Sequence, residues 1–156
     1  SDLERVSLDL ALLELDHPIS SPRIRPFAVA ETPPTGERVG VVSYAQGRSE
    51  APSLQEVCHI LRRGGGVAVL SCDVTFGASG APVLRLAAGG PEIVSVVSAK
   101  AESDGARVAL APAFEEPYRE LRAAFDQAPG RVMHRGFSRL GGGDAGTGPL
   151  PRFVRP

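Results

Sequence analysis

One serine of the sequence stands among very small residues. Ser79 lies in the segment CDVTFGASGAPVL, directly flanked by Ala78 and Gly80 and preceded by Gly77. A nucleophilic serine needs such neighbours, because a substrate carbonyl has to come within about 3 Å of its oxygen. The backbone N–H groups of Gly77 and Ser79 are then the natural donors to the developing oxyanion. The alternative is a glycine-rich β-turn that happens to contain a serine.

One acid interrupts a leucine-rich stretch near the start of the chain. Asp9 lies in SLDLALLEL, with leucines at positions 8, 10, 12 and 13. A carboxylate in an apolar strand is destabilising unless a cation or strong hydrogen-bond donors satisfy it. Taken alone, this acid is more typical of a strand end that faces solvent. Combined with Ser79, it indicates the carboxylate that orients a catalytic imidazole.

Short apolar runs separated by turns predict a mostly β protein that positions these two groups. The 18 glycines and 14 prolines favour many short strands over a few long helices. Residues 5–15 form a strand-like apolar run, and residues 24–30 a shorter extended piece. The six further predicted strands are residues 38–45, 54–61, 66–72, 82–86, 92–100 and 106–111. Their regular spacing predicts a small closed barrel or a sandwich.

A single convincing helix is predicted over residues 113–127. Apolar residues recur there at intervals of four, three and four, which aligns them on one face of a helix, and they are Phe114, Tyr118, Leu121 and Phe125. Pro129 and Gly130 end the helix. The following residues are rich in glycine and proline, and we expect them to form a flexible tail.

Composition excludes several classes of function. The net charge of −1, the 5% aromatic content and the lack of tryptophan argue against a nucleic-acid-binding protein. No apolar run is long enough to span a bilayer. The sequence has no HExxH, paired CxxC or GxGxxG motif, so we expect neither a metal nor a cofactor.

The two motifs together resemble those of a known protease family. DLALLEL followed 70 positions later by GASGAPV is similar to the Asp and Ser motifs of chymotrypsin-like serine proteases, in particular bacterial members with GxSGxPV. The resemblance implies an all-β fold of two six-stranded antiparallel barrels and a C-terminal helix. Residues 1–20 would end the first barrel and carry the Asp motif, and residues 21–128 would form the second barrel with its helix. Residues 129–156 would be the tail, and most of the first barrel would be missing from this chain.

The resemblance also implies a catalytic histidine well upstream of Asp9, where the sequence has none. His17 follows Asp9 by only eight residues, His59 lies in a predicted strand, and His134 belongs to the tail. We expect all three to be ordinary histidines. A separate N-terminal chain or segment, removed by cleavage or omitted from the sequence, would supply the base. The start at Ser1, without Met or a signal peptide, fits a processed or truncated N-terminus.

A serine endopeptidase acting on proteins or peptides is the function that the resemblance implies. Ser79 would attack the scissile carbonyl, Asp9 would fix the tautomer of the histidine, and the N–H groups of Gly77 and Ser79 would bind the oxyanion.

Three further residues are implied to bind substrate. Asp73 precedes the nucleophile by six positions and would lie at the base of the primary specificity pocket, which predicts cleavage after Arg or Lys. Ser98 would pair with the substrate backbone. Lys100 would lie near the pocket entrance, where it would neutralise Asp73 or favour acidic substrates. Alternatively, Asp73 merely caps a turn.

The two cysteines, Cys58 and Cys72, leave 13 residues between them. A hairpin turning at residues 63–65 would bring them side by side, which predicts a disulfide and hence a secreted or periplasmic protein. Two reduced thiols are the alternative.

Two other functions stay open at this point. A protease-like domain that has lost catalysis would serve as a binding module, which the missing histidine allows. An α/β-hydrolase esterase would need a helix after Ser79, whereas residues 82–84 continue as a strand.

Overall fold

Eight β-strands and two α-helices make up the residues that the computed structural model describes, 2–44 and 50–127. The strands are β1 (Ala28–Val29), β2 (Arg38–Ser43), β3 (Ser53–Gly64), β4 (Val67–Leu70), β5 (Pro82–Ala87), β6 (Gly90–Val96), β7 (Ala99–Ser103) and β8 (Ala106–Pro112). The helices are α1 (Asp2–Ser7) and α2 (Glu115–Gln127). In this part of the chain, neither helix is long and apolar enough to cross a membrane.

The strands form a single sheet that closes on itself. Their order is β1-β6-β5-β2-β3-β4-β8-β7, with antiparallel pairing except between the short β1 and β6. β6 and β7 are consecutive pieces of one extended stretch, interrupted only at Val97 and Ser98. Because β6 pairs with β5 and β7 pairs with β8, this stretch joins the two ends of the sheet. The result is a barrel with six sides, and the predicted chymotrypsin-like all-β fold is confirmed.

The barrel interior is filled by aliphatic side chains from every side of the sheet. Its fully buried members include Ile60, Leu70, Val83 and Val94. Burying a side chain of this size stabilises a fold by about 1.5–3 kcal/mol relative to leaving it in water. In β2, two of the inward residues, Val39 and Val41, alternate with less buried positions, as expected for a strand with one face on the core.

The predicted strands agree with the observed ones to within a few residues, with one informative difference. The single strand predicted over residues 92–100 is divided into β6 and β7. The division occurs because the N–H group of Val97 donates to Ala81, whereas that of Ser98 donates to Leu110 on β8. Hydrophobic pattern alone carries no information on this change of partner.

The prediction of a strand over residues 5–15 is wrong. The chain forms α1 and then runs without regular structure from residue 9 to residue 21. Leu8, Leu13 and Leu15 are 45%, 85% and 60% exposed. An apolar run becomes a strand only when a neighbouring strand offers hydrogen-bond partners and cover, and no described strand lies beside this segment.

Helix α1 is held against the hairpin that joins β3 and β4. The hairpin turns at Gly65 and Gly66, whose φ angles of +58° and +76° suit a two-residue turn that only glycine adopts readily. A Cβ atom on Gly66 would lie 2.8 Å from the Cβ atom of Ser7 at the end of α1. The close approach therefore requires glycine, and Val6 of α1 is buried at this contact side of the helix.

The predicted C-terminal helix is confirmed as α2, which begins against the barrel. The hydroxyl of Thr32 donates to the carbonyl of Val94 at 3.0 Å and accepts from the N–H of Phe114 at 3.3 Å. The N–H of Thr32 donates to Glu115 Oε1 at 2.8 Å, and Arg63 pairs with the same carboxylate at 3.2 Å. These contacts fix the first turn of the helix. The predicted tail, residues 129–156, lies outside the described residues.

A disulfide joins Cys58 on β3 to Cys72, two residues after β4, as the sequence predicts. Both cysteines are fully buried in the barrel core. The bridge closes the β3–β4 hairpin at the end opposite its turn, and the described residues contain no free cysteine.

Removing the disulfide is expected to destabilise the barrel. For a loop of this length, chain-entropy arguments assign the bridge about 3 kcal/mol. The double variant Cys58→Ala/Cys72→Ala should lose a free energy of unfolding of that order, measured by urea denaturation. Dithiothreitol should destabilise the wild-type chain similarly and leave the double variant unchanged. A wild-type curve that does not respond to the reductant would contradict the bridge.

Gly66→Ala is expected to loosen helix α1. The substitution forces a left-handed alanine and a contact with Ser7, whereas Gly65→Ala shares the backbone strain but meets no atom within 4 Å. The left-handed strain costs about 1–2 kcal/mol in either variant. Because only Gly66→Ala also crowds Ser7, its free energy of unfolding in urea denaturation should fall by at least about 1 kcal/mol more than that of Gly65→Ala.

A second measurement locates the effect of Gly66→Ala. The N–H group of Asp9 donates to the carbonyl of Val6 at 3.1 Å. Its hydrogen exchange should accelerate in Gly66→Ala and not in Gly65→Ala. Equal behaviour of the two variants would show that the contact with Ser7 contributes nothing.

Candidate active site

The segment between β4 and β5 buries one residue and exposes the next. Ala78 is 1% exposed and its N–H donates to Thr75 at 3.2 Å, while its carbonyl accepts from Ala81 at 3.0 Å. Ser79 is exposed at the tip of this turn. Gly77 has a φ angle of +90°, a left-handed conformation that glycine adopts without strain. The small residues around Ser79 thus permit a tight turn that presents the hydroxyl to solvent.

Two N–H groups of this turn are available to a ligand. Within the described part of the chain, the N–H groups of Gly77 and Ser79 donate to no backbone carbonyl, whereas those of Ala78, Gly80 and Ala81 all do. A pair of unused donors beside an exposed hydroxyl has the composition of an oxyanion hole.

The serine turn, residues 75–81, is hydrogen-bonded to the point where the barrel closes. The N–H of Gly80 donates to the carbonyl of Val97 at 2.7 Å, and the N–H of Val97 donates to Ala81 at 2.9 Å. Ser98 is the next residue, and its N–H donates to Leu110 at 2.9 Å. The serine turn and the break between β6 and β7 therefore form one hydrogen-bonded unit.

Asp9, two residues after helix α1, contacts the same unit. The hydroxyl of Ser98 donates to Asp9 Oδ2 at 2.5 Å. Two of the residues singled out in the sequence, 89 positions apart, are thus in direct contact. The side chain of Asp9 is exposed. Its hydrogen-bond donor, Ser98, lies at the break between β6 and β7.

The histidines of the described residues lie apart from this unit. His17 is exposed and its Nδ1 atom is 3.2 Å from the neighbouring Asp16. His59 lies on β3, where its N–H donates to the hydroxyl of Ser71 at 2.9 Å. Neither forms a hydrogen bond with Asp9 or Ser79 in the described part of the chain, and His134 lies outside it.

Asp73 has a partner that the sequence analysis missed. Arg107, near the start of β8, places its Nη2 atom 3.1 Å from Asp73 Oδ2. The register explains the contact, because β4 and β8 pair Leu70 with Ala109 and so bring the residues flanking them together. Only this strand register, which local sequence does not reveal, could have identified Arg107.

Lys100 also contacts a residue that the sequence analysis missed. Its Nζ atom lies 3.5 Å from the centre of the Phe76 ring, a cation–π contact between β7 and the serine turn. Phe76 is 67% exposed although it is aromatic and stands only three residues before Ser79. Phe76 and Lys100 therefore connect β7 to the segment that carries Ser79.

The described residues form no metal site near Ser79, and their cleft lies in another part of the barrel. Among residues 2–44 and 50–127, no group of three or more His, Cys, Asp or Glu side chains could hold a metal ion. A cleft of about 520 Å³ lies between β2, β3 and β5, and its lining includes Gly40, Leu54 and Leu84 but none of the residues predicted from the sequence to form the site.

The arrangement combines an exposed hydroxyl on Ser79 with a carboxylate, Asp9, that is anchored to the same hydrogen-bonded unit. Beside the hydroxyl are two N–H groups that donate to no backbone carbonyl among the described residues. An imidazole placed between the carboxylate and the hydroxyl would complete a relay for acyl transfer.

Comparison with known protein families identifies the family of the chain. The model of the trypsin-like peptidase domain matches residues 2–91, a range that includes Asp9, Asp73 and Ser79. A comparison with curated proteins gives no match. The family match covers more than half of the chain and extends from helix α1 through the serine turn into β6. The chain therefore belongs to the family of trypsin-like peptidase domains.

Proposed function

We propose that this protein is a serine endopeptidase in which Ser79 is the nucleophile and Asp9 is the acid of a Ser-His-Asp triad. The observation that carries the proposal is the hydrogen bond between Asp9 and Ser98, next to the bonds that tie the serine turn to Val97. It supports a common location for the acid and the nucleophile, although they lie far apart in sequence.

The proposed reaction uses these groups in a fixed order. The histidine removes the proton of the Ser79 hydroxyl as the oxygen forms a bond to the scissile carbonyl carbon. The N–H groups of Gly77 and Ser79 stabilise the oxyanion. The histidine then gives its proton to the leaving amine as the C–N bond breaks. Water, activated by the same histidine, attacks the acyl-enzyme and frees Ser79. Asp9 holds the imidazole in the required tautomer throughout.

The histidine is proposed to come from a segment or chain that packs on residues 3–29. Eight large apolar side chains are exposed there, which are Leu3, Leu8, Leu13, Leu15, Ile19, Ile24, Phe27 and Val29. A contiguous stretch of exposed apolar residues is typical of an interaction surface. Because Asp9 lies within this stretch, a partner that covers it would reach the carboxylate.

Ser98 is proposed to pair with the substrate backbone. Its N–H is used within the barrel by Leu110, whereas its carbonyl accepts no backbone hydrogen bond in the described part of the chain. An extended peptide alongside residues 98–100 could donate to this carbonyl, as in other cases where a peptide adds to a strand edge. Asp73 would then face the side chain at the cleaved position, and Arg or Lys is the proposed preference.

The compartment is proposed to be extracytoplasmic, either periplasmic or outside the cell. The disulfide between Cys58 and Cys72 supports this location, since such bridges persist in oxidising surroundings. Protein isolated from its source with two reduced cysteines would remove the support.

Labelling with a fluorophosphonate tests the proposed nucleophile. An activated serine reacts quickly with this probe, whereas an ordinary hydroxyl does not. In protein purified from its native source, mass spectrometry should locate the label on Ser79. Ser79→Ala should abolish labelling, and Asp9→Asn should slow it by about four orders of magnitude through loss of the correct imidazole tautomer.

Ser103→Ala is the matched control, because Ser103 is a serine on the β7–β8 hairpin whose hydroxyl donates to the neighbouring Asp104. It should label as the wild type does. A wild-type protein that stays unlabelled on Ser79 would favour the second candidate, a catalytically inactive binding module. The observation in its favour is that no described histidine forms a hydrogen bond or ion pair with Asp9 or Ser79.

Substitution of the chain's own histidines tests the source of the base. The triple variant His17→Gln/His59→Gln/His134→Gln should keep the wild-type rate of fluorophosphonate labelling, measured under the same conditions, because the proposed base lies outside the 156 residues of this chain. Diethylpyrocarbonate, which modifies histidine, should still block labelling of the triple variant. Loss of labelling on substitution of His17, His59 or His134 would instead assign the base to this chain.

A further inference from the structure

We propose that Arg107 determines specificity by competing with basic substrates for Asp73. The inference rests on the proposed function, in which Asp73 faces the side chain at the cleaved position. In this protein the carboxylate already has a guanidinium partner, Arg107 Nη2, at 3.1 Å. A substrate Arg or Lys must replace that partner before it can pair with Asp73. The wild-type preference for basic residues is therefore weak.

Three charged side chains lie near one surface. Asp73 precedes the serine turn, and Arg107 pairs with Asp73 from β8. Lys100 contacts Phe76 of the serine turn from β7. One negative and two positive side chains thus surround the proposed position of the substrate side chain. A cationic substrate side chain would find Asp73 already neutralised by Arg107 and would be repelled by Lys100. An anionic or neutral side chain would not be repelled by these cations.

The ion pair can be displaced because it lies at the surface. The side chains of Arg107 and Asp73 are 71% and 47% exposed. Exposed ion pairs contribute little net stability, so Arg107 lowers the affinity for a competing cation by only a modest factor. We expect its removal to raise that affinity about fivefold.

Binding of benzamidine, whose amidinium mimics an arginine side chain, tests the inference without any need for the histidine. Titration of the full chain, followed by calorimetry or NMR, should show about fivefold tighter binding for Arg107→Gln than for the wild type. Arg107→Lys keeps a positive charge, so its affinity for benzamidine should be nearly as low as that of the wild type. Adding Asp73→Asn to Arg107→Gln should abolish the gain, because the cation then has no acid to meet.

Two controls separate this role from a structural one. Benzamide, the uncharged analogue of the probe, should bind the wild type and Arg107→Gln equally. Arg122→Gln removes another exposed arginine, one that pairs with Asp126 on α2 at 3.0 Å, and should leave benzamidine binding unchanged. An unchanged affinity of Arg107→Gln for benzamidine, or a gain that survives Asp73→Asn, would overturn the inference.

The outcome is independent of the test of the nucleophile. Failure of Ser79 to react with the fluorophosphonate, together with tighter benzamidine binding by Arg107→Gln, would reject catalysis. It would retain the inference that Arg107 competes with cations for Asp73. Labelling of Ser79 without a change in benzamidine affinity would retain the peptidase and reject the role of Arg107.

Discussion

Val97 and Ser98 change their hydrogen-bond partners from β5 to β8, and at this point the sheet closes. A closed barrel has to contain such a change wherever one extended stretch contributes to both ends of the sheet. The carbonyl of Val97 accepts from Gly80 of the serine turn at this break in the ladder, and the hydroxyl of the next residue, Ser98, donates to Asp9. The same geometric requirement that completes the core therefore also assembles the site.

The N-terminal segment is tied to the barrel at few points. Val6 is buried, Ser7 meets the β3–β4 turn, and Asp9 meets Ser98, whereas most large apolar side chains of residues 3–29 face solvent. A segment of this kind gains little from the barrel itself and has much apolar surface left to bury. Exposed apolar surface of this extent is typical of an interaction surface.

Elements governed by local pattern were predictable from the sequence. The strands, the amphipathic helix after Ala113 and the glycine-rich hairpin follow from side-chain period and turn chemistry. The two cysteines could be paired because one hairpin brings them together. The strand expected around Asp9 was wrong because a strand depends on a neighbour, which the local pattern does not supply. Contacts such as Asp9 with Ser98, or Asp73 with Arg107, depend on closure and register, and no local pattern encodes either.

The β3–β4 hairpin has a consequence for spacing within the site. Its tip, at Gly66, lies against Ser7 at the end of helix α1, two residues before Asp9, and the segment that carries Asp73 and Ser79 begins beyond its other end, past Cys72. The hairpin thus spans the space between the segment that carries Asp9 and the segment that carries Ser79. Because a strand advances about 3.3 Å per residue, lengthening both strands of the hairpin by two residues would keep every side chain on its face of the sheet. The turn at Gly66 would move by about 7 Å. The length of this hairpin therefore sets how far the contact with α1 lies from the segment that carries Ser79.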